Sequence, residues 1–68
     1  MPYRANTDLP VSVRNVLPVH AQNIFREAFN AAWRQYDGHE DTAFRVAWAA
    51  VKKQYRKSGQ QWVSRDES

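Results

Sequence analysis

Hydrophobic residues in the last third of the chain recur at three- and four-residue steps. The positions that share this spacing are Phe44, Ala47, Trp48, Val51 and Tyr55. Such spacing places them on one face of a helix. We predict a third helix that begins at His39-Glu40-Asp41, where the helix dipole favours acids, and that ends at Ser58-Gly59.

The middle of the chain shows the same periodicity over a longer stretch. Its apolar positions are Ala21, Ile24, Phe25, Ala28, Phe29, Ala32, Trp33 and Tyr36. No glycine or proline interrupts residues 19–36, so the pattern predicts a long second helix that follows Pro18. Asp37-Gly38 should end it, because glycine adopts the left-handed conformation common at helix C-termini.

The two ends of the chain carry weaker signals. Asp8-Leu9-Pro10 is typical of a helix start, with Asp8 as the N-cap or just before it and Pro10 in the first turn. This short first helix must stop before Pro18. Gln61-Trp62-Val63 could form a short strand that pairs with the region of Tyr3. We therefore predict a mainly α fold: a single compact three-helix domain at residues 1–63, a small two-stranded β patch joining the termini, and a frayed tail at residues 64–68.

Six aromatic residues share helix faces with alanines and valines, which is typical of a helix–helix seam. They are Phe25, Phe29, Trp33, Phe44, Trp48 and Tyr55. We predict that these rings form the core rather than stack on bases. Replacing Trp48 by alanine should then cost about 3–5 kcal/mol.

The composition argues against several classes of function. The chain has no cysteine and two glycines, so it offers no thiolate chemistry and no phosphate-cradling loop. Its serines lie in no recognisable nucleophile motif. It has no apolar run of about 20 residues and no secretory signal. We expect a non-enzymatic, soluble, cytoplasmic protein without a transmembrane segment.

The two histidines do not predict a metal site. His20 has no acid or second histidine at helical spacing, and we interpret it as a capping or packing residue. His39 adjoins Glu40 and Asp41, but adjacent residues on a helix point in different directions, so this group is more typical of a solvated helix N-terminus. We expect no metal, no cofactor and no catalytic residues.

Positive charge is concentrated near the end of the chain. Six of the ten basic residues of this chain, whose net charge is +3, lie in its last third. The candidate binding residues among them are Arg45, Lys52, Lys53, Arg56 and Lys57. On the predicted third helix, Arg45, Lys52 and Arg56 share one face. Such a stripe could bind nucleic acid, an acidic protein loop or anionic lipid, or simply complement the dipole of a solvated helix end.

Several separated motifs, in order, resemble the ChaB family. They are Met1-Pro2-Tyr3-Arg4, Asp8-Leu9-Pro10, Val16-Leu17-Pro18, His20-Ala21-Gln22, Glu27-Ala28-Phe29-Asn30, Ala32-Trp33, Tyr36, Thr42-Ala43, Val46-Ala47-Trp48-Ala49-Ala50-Val51-Lys52, Tyr55 and Trp62. The likeness covers roughly residues 1–62. The connection at Tyr36 to Glu40 is shorter than in many family members, so no role of that loop is carried over.

The resemblance implies a helical domain similar to the cyclin box and a role in regulating cation transport beside a calcium/proton antiporter. Relatives in viruses and beside nucleic-acid-associated domains also point to nucleic acid. It implies no catalytic residues. Two hypotheses follow. The first is a small cytoplasmic regulator or adaptor that acts by protein–protein contact, with the cytoplasmic side of a membrane cation antiporter as a candidate partner. The alternative is a nucleic-acid-binding module that uses the basic face of the third helix.

Overall fold

Two long antiparallel helices form the body of the protein. A computed structural model describes residues 2–65 of the 68-residue chain. Within that range the helices are a 3-10 turn at Asn6–Asp8, α1 at Val11–Arg14, α2 at Val19–Gln35 and α3 at Glu40–Gln54. The ring centroids of Phe25 and Trp48 are 5.2 Å apart, and those of Phe29 and Phe44 are 5.1 Å apart. From the first pair to the second, the position on α2 moves forward by four residues and the position on α3 moves back by four, so the two helices are antiparallel.

The turn between α2 and α3 follows the predicted signal. The Gly38 N–H donates to the Trp33 carbonyl at 2.8 Å, closing the last turn of α2. Both Asp37 and Gly38 have positive φ angles, 54° and 80°. A Cβ at Gly38 would lie 3.3 Å from the Trp33 ring, so this position favours glycine for its conformation and for its close approach to the indole.

The two-stranded sheet is confirmed, but its strands are not the predicted pair. Strand β1, Tyr55–Ser58, pairs antiparallel with β2, Gln61–Ser64. Gly59, with φ 62°, is the first residue of the two-residue turn between them, as in type II′ hairpins. The predicted pairing of the Trp62 region with the Tyr3 region is therefore wrong. A hairpin joins adjacent strands through a short loop, whereas joining the termini would require closing a loop of nearly the whole chain.

Helix α3 is shorter than predicted as a consequence. It ends at Gln54, and Tyr55 already has extended backbone angles, φ −129° and ψ 153°. The prediction that Arg56 and Lys57 lie on this helix is wrong, since both belong to β1. Tyr55 nevertheless points into the core, with 6% of its surface exposed.

The N-terminal segment is attached to α2 by side chains rather than by strand pairing. The Tyr3 N–H donates to Asn30 Oδ1, and Asn30 Nδ2 donates to the Tyr3 carbonyl, both at 2.8 Å. Asp8 Oδ2 accepts from the Ala5 N–H at 3.3 Å. Pro10 is the N-cap of α1, one position before the first turn in which it was predicted, and Asp8 lies two residues before that cap.

The core lies between α2, α3 and the short helix before them. Its buried residues are Leu9, Val13, Leu17, Ala21, Phe25, Phe29, Ala32, Ala43, Ala47, Val51 and Tyr55. Phe25 and Phe29 are fully buried, while Trp33, Phe44 and Trp48 are partly buried and pack against the core. The predicted aromatic seam is present, but its tryptophans lie at the edge.

The last described residues are attached to the end of α3. Ser64 lies in β2 opposite Tyr55. The Arg65 N–H donates to the Gln54 carbonyl at 2.8 Å, and Arg65 Nε donates to the Lys52 carbonyl at 2.7 Å. These carbonyls belong to the last turn of α3, where no intrahelical N–H is available to them, and Arg65 supplies the missing donors. Of the predicted frayed tail, Ser64 and Arg65 thus make ordered contacts, and residues 66–68 lie outside the described part of the chain.

Candidate binding surface at the hairpin end

Four of the five predicted binding residues lie where α3 meets the hairpin. Lys52 and Lys53 are in the last turn of α3, and Arg56 and Lys57 are on β1. Arg45 lies seven residues before Lys52, which is about 10 Å along the helix axis. All five side chains are exposed. None makes a hydrogen bond or an ion pair within residues 2–65. We call this region, formed by the last turn of α3 and the hairpin, the hairpin end.

Strand geometry separates the two basic residues of β1. Successive strand residues point to opposite faces, so Lys57 and Arg56 do not share a direction. Lys57 is the register partner of Trp62, whose ring centroid lies 5.5 Å from that of Trp48 on α3. Lys57 therefore shares the strand face of Trp62, which packs on α3, whereas Arg56 lies on the other face beside Val63.

An open cleft of about 700 Å³ lies at the hairpin end. Its lining residues come from three parts of the chain: Asn15 and Val16 after α1, Trp48 and Lys52 on α3, and Lys57, Gln60, Gln61 and Trp62 on the hairpin. None of these lining residues is acidic. The Trp62 N–H donates to the Val16 carbonyl at 3.2 Å, which fixes β2 against the turn after α1. The described lining thus combines apolar residues with two lysines, one asparagine and two glutamines.

Known proteins resemble this chain both in sequence and in fold. A family model described as ChaB matches residues 9–65. The chain belongs to the ChaB family. It is 54% identical over 66 residues to proteins named "Putative cation transport regulator ChaB" from Escherichia coli strain K12 and from Shigella flexneri, covering 84% of this chain and 87% of each relative. It also resembles the NMR solution structure of a protein of that name, with a TM-score of 0.85 and 49% identity over 94% of this chain and 99% of the other.

Several residues that carry the ChaB resemblance hold the fold together. Gln22 Nε2 donates to the Leu17 carbonyl at 2.9 Å, which links the end of the first helical segment to α2. His20 Nδ1 and the Tyr55 hydroxyl are 2.9 Å apart, which links the start of α2 to the start of β1. His20 was predicted to cap or pack, and it does pack against Tyr55, but no local signal indicates a partner 35 residues away.

The structure adds cleft residues that the sequence analysis did not single out for binding. Asn15 and Val16 come from the turn after α1, and Gln60 and Gln61 come from the hairpin. Trp48 was predicted to pack in the core and Trp62 to lie on a short strand. Both pack against the core, and both also line the cleft. Arg65 was counted with the basic cluster, yet its guanidinium is engaged with the C-terminus of α3.

The opposite end of α3 has a different electrostatic character. Tyr3 packs on Phe29, with ring centroids 4.7 Å apart. Burial raises the pKa of the Tyr3 phenol above 10.0, and the negative charge of Glu40 raises it further. Within residues 2–65, no group of three or more potential metal ligands is positioned to hold an ion, and no helix is long and apolar enough to cross a membrane.

Proposed function

We propose that this chain is a non-enzymatic regulator of cation transport that acts by binding another protein at its hairpin end. Its relatives carry the name of cation transport regulators, which supports a regulatory role. The observation that carries the proposal is the concentration of four exposed basic side chains at the hairpin end, without intramolecular ion pairs in the described range. Two of them, Lys52 and Lys57, line an open cleft.

The helix dipole accounts for only part of this charge. Cations near a helix C-terminus are stabilised by the dipole, which suffices as an explanation for Lys52 and Lys53. Arg56 and Lys57 lie beyond the helix on β1, where the interaction with the dipole is weaker. A cluster that extends past the helix is better explained by an acidic partner than by the helix alone.

The proposed partner is an acidic segment on the cytoplasmic side of a membrane cation antiporter. Charge complementarity would guide the encounter and set its orientation. Under this proposal the chain acts in the cytoplasm and contributes no chemistry of its own. It would regulate transport by occupying or stabilising one conformation of the transporter.

The test is in-cell crosslinking combined with a measurement of cation flux. The double variant Lys52→Glu with Arg56→Glu reverses charge at the hairpin end. Arg4→Glu with Arg34→Glu makes the same net charge change at exposed positions elsewhere. We expect the first variant to lose both a transporter crosslink and the effect on flux, and the second to keep both. Equal behaviour of the two variants would contradict the proposal.

Nucleic-acid binding is a second candidate, because the same basic side chains lie beside two tryptophans. Phosphate contacts release counterions, so such binding would weaken steeply with salt. Fluorescence anisotropy with labelled single- and double-stranded oligonucleotides distinguishes the two functions. Salt-dependent binding that Lys52→Glu with Arg56→Glu abolishes would favour nucleic acid. Undetectable binding at low salt would remove this candidate.

A further inference from the structure

We infer that the cleft at the hairpin end binds a short acidic peptide segment that inserts an apolar side chain between acidic neighbours. The inference rests on the proposed function, since it names the kind of segment by which a partner protein is recognised. It commits to the side of the hairpin that carries Lys57 and Trp62 and excludes the side that carries Arg56.

The apolar component of the site is the wall formed by Val16, Trp48 and Trp62. Both tryptophans are partly buried against the core, so they are held in place yet still line the cleft. Trp48 meets Phe25 edge-on at 75°, which anchors its ring to α2. Rigid aromatic residues that line a pocket are the usual anchors of protein interfaces, because they supply contact area with little loss of side-chain entropy.

Charge selects an acidic segment. Lys52 and Lys57 line the cleft from α3 and β1, and none of the described lining residues is acidic. Lys53 and Arg56 are close in sequence but do not line it. The cleft therefore draws carboxylates to two positions, one on α3 and one on β1, rather than to a diffuse basic surface.

The amide side chains favour a peptide over a nucleic acid. Asn15 and Gln60 make no side-chain hydrogen bond within residues 2–65, and each offers both donors and an acceptor. An extended peptide presents an N–H and a carbonyl at nearly every residue, so it can satisfy both. The phosphodiester backbone of a nucleic acid only accepts, so only its base edges could donate to these carbonyls.

The tryptophan geometry points the same way. The rings of Trp48 and Trp62 pack on each other at 35° with centroids 5.5 Å apart, and Trp48 also contacts Phe25. Much of each indole is thus covered by protein. What remains accommodates an aliphatic or aromatic side chain, whereas stacking of successive bases requires open ring faces.

The experiment is a titration of the purified, 15N-labelled full chain with a panel of hexapeptides. Each peptide has two acidic residues on either side of a central pair of Leu, Phe or Trp, and the matched controls replace the acids by Lys or the central pair by Ser. We expect binding by at least one acidic peptide, with NMR shifts concentrated at the backbone amides of Gln60, Gln61 and Trp62. The control peptides should not bind.

Two double variants locate the site by affinity. Lys52→Gln with Lys57→Gln removes the two charges in the cleft and should weaken binding about tenfold. Lys53→Gln with Arg56→Gln makes the same charge change outside the cleft and should alter affinity by less than about twofold. These exposed positions carry no packing, so the variants should fold, as a thermal melt would verify.

Three outcomes would overturn the inference. The first is no binding by any acidic peptide up to about 1 mM, the range of the weakest specific complexes. The second is equal weakening in the two double variants, which would indicate general charge attraction. The third is tighter binding by an oligonucleotide of matched charge, with shifts at the same amides. If the peptides fail while the transporter crosslink still depends on Lys52 and Arg56, the proposed function survives and only this assignment of the cleft falls.

Discussion

The two ends of α3 differ in what happens to their polar groups. At the N-terminal end, which we call the closed end, the polar atoms of Tyr3 and Asn30 pair with each other across the fully buried Phe29. At the hairpin end, the lysine side chains of the cleft and those of Asn15 and Gln60 have no partner within the described residues. The Tyr3 backbone and the Asn30 side chain thus bond within the protein, whereas the lysine and amide groups of the cleft face solvent, where we propose that a partner binds.

The largest expected effect concerns the rings at the two ends. Phe29→Ala removes a fully buried ring that contacts Tyr3, Trp33 and Phe44, and should cost about 3–5 kcal/mol. A chain of 68 residues has about 3–10 kcal/mol of stability in total, so this variant should unfold at a much lower temperature and urea concentration than the parent. Circular dichroism melts and urea titrations measure the loss.

Trp48→Ala is the matched change near the hairpin end. Because Trp48 is only partly buried, we expect the free energy of unfolding to fall by about 1–3 kcal/mol. This loss is smaller than the one predicted from the sequence for a core tryptophan. Equal losses in Phe29→Ala and Trp48→Ala would show that the hairpin end is packed as tightly as the closed end. That result would remove the structural basis for a binding cleft.

Two asparagine substitutions should differ in how much they lower the free energy of unfolding. Asn30→Ala breaks the paired bonds to Tyr3 and should cost about 1–3 kcal/mol, since the Tyr3 backbone groups lose their partners. Asn15→Ala removes an exposed amide from the cleft and should change stability by less than about 0.5 kcal/mol. Urea titration of both variants gives the comparison. A destabilising Asn15→Ala would indicate that the cleft amides serve the fold.

Local signals were sufficient to predict the helix pair. Pro18 precedes α2, Asp37-Gly38 follows it, and the periodicity between them is unbroken, so the predicted and observed ends of α2 agree within one residue. All of this information lies within the segment itself. The ring contacts between α2 and α3 then follow from the faces that the periodicity defines.

The hairpin was missed because its first strand continues a helical pattern. Tyr55 comes four residues after Val51. It would therefore face the core if α3 continued, and it also faces the core as the first residue of β1. Ser58-Gly59 is equally typical of a helix end and of a hairpin turn. The deciding contacts are distant in sequence: Trp62 on Trp48, and the Trp62 N–H on the Val16 carbonyl.

The candidate site was predictable in charge but not in shape. Counting basic residues identified Lys52 and Lys57 without any structure. The cleft itself requires Asn15 and Val16 to meet Gln60 and Gln61 across about 45 residues of chain, and no sequence pattern encodes that approach. The cleft residues that the sequence did not reveal are those that only tertiary packing brings to the site.

The smallest expected effect is a pH dependence at the closed end. The folded-state pKa of Tyr3 lies above its unfolded value of 10.0, because burial and Glu40 disfavour the phenolate. Folding therefore favours the neutral phenol. The associated stability is fully present below pH 10 and is lost as the pH rises from about 10 through the folded-state pKa. The wild-type chain should lose more stability on this rise than a Tyr3→Phe variant, which has no phenol to ionise.

Urea titrations of both chains at pH 8 and at pH 11 measure this difference, with Tyr36→Phe as the control for a tyrosine at an exposed position. Comparing the chains at one pH removes the contributions of the titratable groups that they share. A wild-type chain that responds to alkali as Tyr3→Phe does would mean that the phenol is solvated and that Glu40 is distant. Water would then reach the Tyr3 side chain at the closed end. Only the packing of Phe29 and its neighbours would still distinguish that end from the hairpin end.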